Sequence, residues 1–111
     1  MIEIARRLHL ALPSGLQDVE VLIEGPRERR GYWMCSYKIG WPEGAKVAEA
    51  RGADGVQALY LAMEAIALNL YGSEYHRSGE LYWQKPGKGY GFPMPKPARD
   101  DLIGDDRELQ V

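Results

Sequence analysis

The chain has 111 residues, of which 45% are hydrophobic and 27% charged, and a formal net charge of −2. This is the composition of one globular domain with room for a single modest core, and it rules out a second domain of ordinary size. Its charge balance offers no general attraction to nucleic acid or to an anionic membrane.

The N-terminal MIEIARRLHLALP carries charges inside its apolar run and reads as a strand rather than a signal peptide. Ile2, Ile4, Leu8, Leu10 and Leu12 share one parity and Arg7 and His9 the other, the alternation of a half-buried strand; Arg6 breaks the pattern and predicts a bulge or a frayed edge. Pro13-Ser14-Gly15 is turn chemistry, and Asp18 to Glu24 alternates again, so the two runs form a β-hairpin. Residues 25–31, GPRERRG, are a charged loop between breakers. Tyr32 to Ile39 places Trp33, Cys35, Tyr37 and Ile39 on one face, and Lys46 to Arg51 is a fourth strand of weak propensity. Short connections between such strands favour an antiparallel meander.

Residues 52–72 hold the long helix. Asp54 caps its first turn, with Gln57 reaching back to close a capping box, and Gly72 ends it in the left-handed conformation. Val56, Leu59, Tyr60, Met63, Ile66, Ala67 and Leu70 recur at helical spacing and form the expected core stripe. Leu61 and Leu68, with Ala58 and Ala65 beside them, fall nearly opposite that stripe. This outer face is short of charge and is a candidate contact for a partner protein, a second copy, or the chain's own C-terminal part.

Ser73 to Gly79 is a polar loop, and Leu81-Tyr82-Trp83 a short fifth strand. Residues 86–97 hold four prolines and three glycines and read as an irregular arm, and residues 99–111 as an acidic, mobile or weakly helical tail. The fold class is therefore α+β: a four-stranded antiparallel meander with one long helix across it, a short fifth strand and a Pro/Gly-rich arm. Residues 1–85 are the domain and 86–111 the arm and tail.

Few residues carry chemistry. Two histidines and one cysteine without ligand spacing predict no metal, and nothing predicts a cofactor. Cys35 sits on the inward parity of its strand as a small core residue, not a nucleophile. His76 beside Glu74 or Glu80 is a possible acid–base pair, weighed against loop residues that serve solubility. Lys88-Gly89-Tyr90-Gly91-Phe92 resembles the opening of the RNP1 motif of RNA-recognition and cold-shock domains, but Pro93 and Pro95 stand where that motif continues as a strand. Tyr82, Trp83, Tyr90 and Phe92 with Lys85 and Lys88 form a basic-aromatic stretch suited to single-stranded nucleic acid. The tail carboxylates Asp100, Asp101, Asp105 and Asp106 are candidates for meeting a basic partner or the Arg27, Arg29, Arg30 loop.

The helix entry Gly52-Ala53-Asp54-Gly55-Val56-Gln57-Ala58-Leu59-Tyr60-Leu61-Ala62 and the strand Trp33-Met34-Cys35-Ser36-Tyr37 resemble a family of small bacterial proteins of unknown function. The resemblance implies an α+β fold and a bacterial or phage origin, and transfers no activity. The expected function is a non-enzymatic protein-binding module in the cytoplasm, an immunity or inhibitor protein acting on a toxin or enzyme, or a homodimer. Its contacts would be Leu61, Ala65 and Leu68 or the acidic tail, with single-stranded nucleic-acid binding by the arm as the alternative.

Overall fold

The computed structural model describes residues 2–110. Two strands, β1 (Glu3–Leu12) and β2 (Gly15–Glu24), are joined by the tight Pro13-Ser14 turn and pair in one unbroken antiparallel register from Glu3↔Glu24 to Leu12↔Gly15. Arg6 therefore causes no bulge; it takes its place in the ladder opposite Val21. The expected charged loop contains a further strand, β3 (Arg27–Arg29), which forms a hairpin with β4 (Tyr32–Ile39) around Arg30-Gly31. Gly31 there has φ of 86°, a backbone shape that glycine adopts without a steric penalty. Pro26 has no N–H to give a ladder, so the strand line breaks between β2 and β3.

β4 pairs with β2 through Ile23↔Tyr37 and with β3 through Glu28↔Trp33. β5 (Lys46–Gly52) runs along its other edge from Ile39↔Lys46 to Trp33↔Gly52. β6 (Leu81–Tyr82) adds two residues to the free edge of β1, which makes six strands among the described residues. The fold is thus α+β, an antiparallel sheet with one long helix and short ones.

The long helix α1 (Gly55–Tyr71) begins on the expected cap: Asp54 Oδ1 accepts from Gln57 N at 2.8 Å. Gln57 Oε1 accepts from Ala53 N at 2.6 Å, one residue before the cap. Its far end departs from expectation. Gly72 has φ of −84°, not a left-handed value, because the chain does not swing away there. Ser73 instead donates its hydroxyl to Leu70 O and caps the single turn α2 (Glu74–Arg77) by accepting from His76 N. Absence of a Cβ still matters at Gly72, where one would lie 3.0 Å from Leu68 O.

The sheet side of α1 is lined with small residues. Ala58 and Ala62 are fully buried with Ile66 and Leu70, against Leu8, Leu10, Val19, Val21, Cys35, Tyr37 and Ile39 of the sheet. The expected stripe was centred further round the helix: Val56 is 78% exposed and Tyr60 42% exposed. The alanines bring the helix close to the strands, so larger residues flank the contact instead of filling it. A Cβ on Gly52 would stand 2.5 Å from Ala58 N, which shows how closely the end of β5 meets the first turn of α1.

The C-terminal part is no loose appendage. Tyr90, Phe92, Met94 and Leu102 are buried in the same core as the sheet and α1. A 3₁₀ segment (Lys96–Asp101) and a short helix α3 (Gly104–Gln110) follow. Packing thus continues through the expected domain boundary at residue 85. Among the described residues no helix is long and apolar enough to cross a membrane.

Gly52→Ala should force β5 and α1 apart and lower stability by about 1–3 kcal/mol, the usual cost of overpacking, as read by urea denaturation. An unchanged midpoint would show that the strand end yields freely.

Candidate functional site

The arm is held by two charged side chains that grip the backbone of the same pair of residues. Arg6 Nη1 donates to the carbonyls of Tyr90 at 2.9 Å and Gly91 at 3.1 Å. Asp106, at 3% exposure, accepts from the N–H groups of Tyr90 and Gly91, each at 2.8 Å, and from the Tyr71 hydroxyl at 2.7 Å. The Arg6 guanidinium also lies over the rings of Trp83, at 4.0 Å, and Phe92, at 4.7 Å. These contacts explain why Arg6 interrupts an otherwise apolar parity: it points inward because its partners are there.

The same grip explains the glycines of Lys88-Gly89-Tyr90-Gly91-Phe92. A Cβ on Gly89 would fall 2.5 Å from Asp106 Cγ, and one on Gly91 would fall 2.7 Å from the Trp83 ring and 2.8 Å from Arg6 Nη1. Both glycines have positive φ. The likeness to an RNA-binding motif thus has a packing cause. Tyr90 and Phe92 are buried, Tyr82 and Trp83 are half-buried, and only Lys85 and Lys88 of that set stand free in solvent. The structure does not bring the six together as an open stacking surface.

Of the expected tail contacts, Asp100, Asp101 and Asp105 are exposed, but Asp106 is buried and serves the arm. The arginine loop has other partners: Arg27 pairs with Glu24 at 3.3 Å, and Arg29 Nε donates to Met34 Sδ. On α1, Leu61 is 36% exposed and Leu68 45% exposed, but Ala65 is half-buried and Ala58 is fully buried in the core instead of lying on the outer face. The arm passes beside Leu68, where Tyr71, His76, Met94 and Asp101 line a shallow groove with it.

His76 does not meet a glutamate. Glu74 is taken by Arg77 at 2.7 Å and Glu80 by the Ser78 hydroxyl at 2.7 Å, while His76 Nδ1 shares a hydrogen bond with the Tyr90 hydroxyl. Burial pushes the His76 imidazole below its usual range and the Tyr71 and Tyr90 phenols above theirs. Cys35 is buried, its thiol pushed up by burial and by Glu24, and it donates to Glu24 O at 3.2 Å. Among the described residues no group of three or more His, Cys, Asp or Glu side chains is placed to hold a metal ion.

What the arm leaves uncovered is more informative. It shelters the C-terminal half of α1, where Ala67, Leu70 and Tyr71 are buried. Towards the N-terminal half it stops at Phe92, and an apolar cleft of about 140 Å³ opens between helix and sheet. Ile4 and Arg6 of β1, Ile23 of β2, Leu59 and Met63 of α1, and Phe92 of the arm line it. Val56 and Tyr60 stand on the same helix flank, within one turn of Leu59 and Met63, and Ile4 is 56% exposed. Sequence reasoning assigned the apolar strand and helix members of this set to inward-facing positions and Phe92 to the basic-aromatic arm. The signal that could have separated them is the row of alanines at 58, 62 and 65, which marks the side of the helix that lies against the strands.

Residues 4–94 match the model of a domain of unknown function, DUF6968, and the chain belongs to that family. The matched span includes the strands, α1 and the arm as far as Met94. No curated protein and no solved structure matches the chain.

Asp106→Ala leaves two N–H groups and a phenol without their acceptor, at about 1–3 kcal/mol each. Trypsin should then cleave after Lys88 and Arg99 at least about tenfold faster, the factor that 1.4 kcal/mol represents, while far-ultraviolet dichroism keeps the sheet and helix signal. An unchanged rate would show that apolar packing alone holds the arm. His76 gives a pH test. Its folded pKa lies below the unfolded value, so the unfolded chain takes up the proton first as pH falls. Stability is therefore full above the unfolded pKa, about 6.5, and declines below it. Urea melts at pH 7.5 and 5.5 should show a smaller decline for His76→Gln than for the parent.

Proposed function

We propose that this chain is a non-enzymatic protein-binding module that docks its partner at the open corner between β1 and α1. The observation that carries this reading is the coincidence of two uncovered apolar stripes. Ile4 belongs to the inward parity of β1, and Val56 and Tyr60 to the apolar stripe of α1, yet all three are exposed, Ile4 on the cleft and the other two within one turn of its Leu59 and Met63. A large side chain withdrawn from water contributes about 1.5–3 kcal/mol, so a handful of such residues suffices for specific docking. Leu61 and Leu68 offer less: polar Gln57 and Glu64 lie between them and this flank. Within this class, an immunity or inhibitor protein that silences a toxin is the form that the chain's size and acidic character favour. The burial of Tyr90 and Phe92 weighs against single-strand binding by the arm.

The test is recovery of a partner from the native host, with nuclease present, on tagged parent protein and two double variants. Val56→Lys/Tyr60→Lys alters the corner and Leu61→Lys/Leu68→Lys the outer face. Exposed positions tolerate such changes within about 0.5 kcal/mol, so both variants should melt near the parent. One stoichiometric protein should bind the parent and Leu61→Lys/Leu68→Lys and be lost from Val56→Lys/Tyr60→Lys. Its retention on the corner variant would reject the corner, and loss from the outer-face variant alone would move the contact there.

A further inference from the structure

The cleft has a chemical character beyond being apolar, and Arg6 supplies it. Arg6 lines the cleft half-buried, its guanidinium against the rings of Trp83 and Phe92. It makes no ion pair among the described residues. Only Nη1 is used, for the two carbonyls of the arm; Nε and Nη2 donate to no acceptor among the described residues. The carboxylate whose charge acts on it, Asp106, is spent on Tyr71 and on two backbone N–H groups. Burial accordingly weighs on the charged form of Arg6 more than Asp106 relieves it. A guanidinium in this state is the natural partner of a carboxylate, which it binds through paired N–H groups.

Size narrows the occupant. Cofactors and drug-sized ligands occupy pockets of roughly 300–1,000 Å³. At about 140 Å³ the cleft falls well short of that. It compares instead with apolar cavities of ~150 Å³ that take up a single benzene ring. One aromatic or branched aliphatic side chain fills it, in the manner of an anchoring residue at a protein interface. Resting on the reading of the chain as a protein-binding module, we propose that the cleft receives one such side chain from a partner polypeptide, and that a neighbouring carboxylate of the same segment pairs with Arg6. The motif read is an acidic residue adjoining a large apolar one, and specificity comes from Arg6, since an apolar pocket alone discriminates poorly between rings and branched chains.

The experiment titrates ¹⁵N-labelled protein with capped tetrapeptides carrying Asp-Phe, Lys-Phe or Asp-Gly at the centre. The Asp-Phe peptide should shift the amides of Ala5, Arg6, Ile23, Leu59 and Met63, and the Lys-Phe peptide should bind about tenfold or more weakly, the measure of one charge-assisted pair lost. The Asp-Gly peptide should cause no comparable shifts. Because Arg6→Met also releases the arm carbonyls, the blocking variant is Met63→Trp, which fills the cleft and should abolish the response. Equal binding of the Asp-Phe and Lys-Phe peptides, shifts elsewhere on the surface, or an undiminished response in Met63→Trp would each overturn the proposal. If no peptide binds while Val56→Lys/Tyr60→Lys still loses its partner, this inference falls and the docking corner stands.

Discussion

The backbone of two residues, Tyr90 and Gly91, is gripped on both edges: Arg6 takes their carbonyls and Asp106 their N–H groups. Burying irregular backbone is costly unless every donor and acceptor finds a partner. These two side chains supply the partners that let the Pro/Gly-rich arm bring Tyr90, Phe92 and Met94 into the core. Each charge is expensive to bury alone. Here each makes two hydrogen bonds to the same short segment, and the Trp83 and Phe92 rings add cation–π attraction to Arg6.

The regular part of the fold was legible because its signals are local. Strand alternation in β1, β2 and β4 and the Asp54 cap of α1 need only neighbours a few residues apart. The arm was not, because glycine and proline report what a backbone can do and not where it is packed. Gly89 and Gly91 are dictated by Asp106 and Arg6, side chains far away in the sequence. Asp106 itself sits among exposed carboxylates, and nothing local distinguishes the one that is buried. Arg6 was visible as an anomaly, but its explanation lay at the other end of the chain.

The exposure of Val56 and Tyr60 was not legible for a related reason. An apolar stripe predicts that a surface is to be kept from water, but not what covers it. On α1 two different bodies share the task. The sheet takes the alanine side and the arm the C-terminal flank, while the N-terminal flank around Val56 and Tyr60 stays exposed. Periodicity sums these roles into one stripe. Only the three-dimensional arrangement separates internal packing from a surface available for docking.

The contacts from Arg6 to the arm span 84 and 85 residues. Loop-closure entropy rises with such separation, so the hairpins and α1 can assemble on local contacts before the arm closes over them. The same order in reverse makes arm release a partial opening of the native protein, short of global unfolding. Such an opening exposes Leu70 and Tyr71 and extends the apolar flank of α1 along its whole length. Amides of residues 89–106 would then exchange with solvent as one cooperative group, separate from those of the sheet.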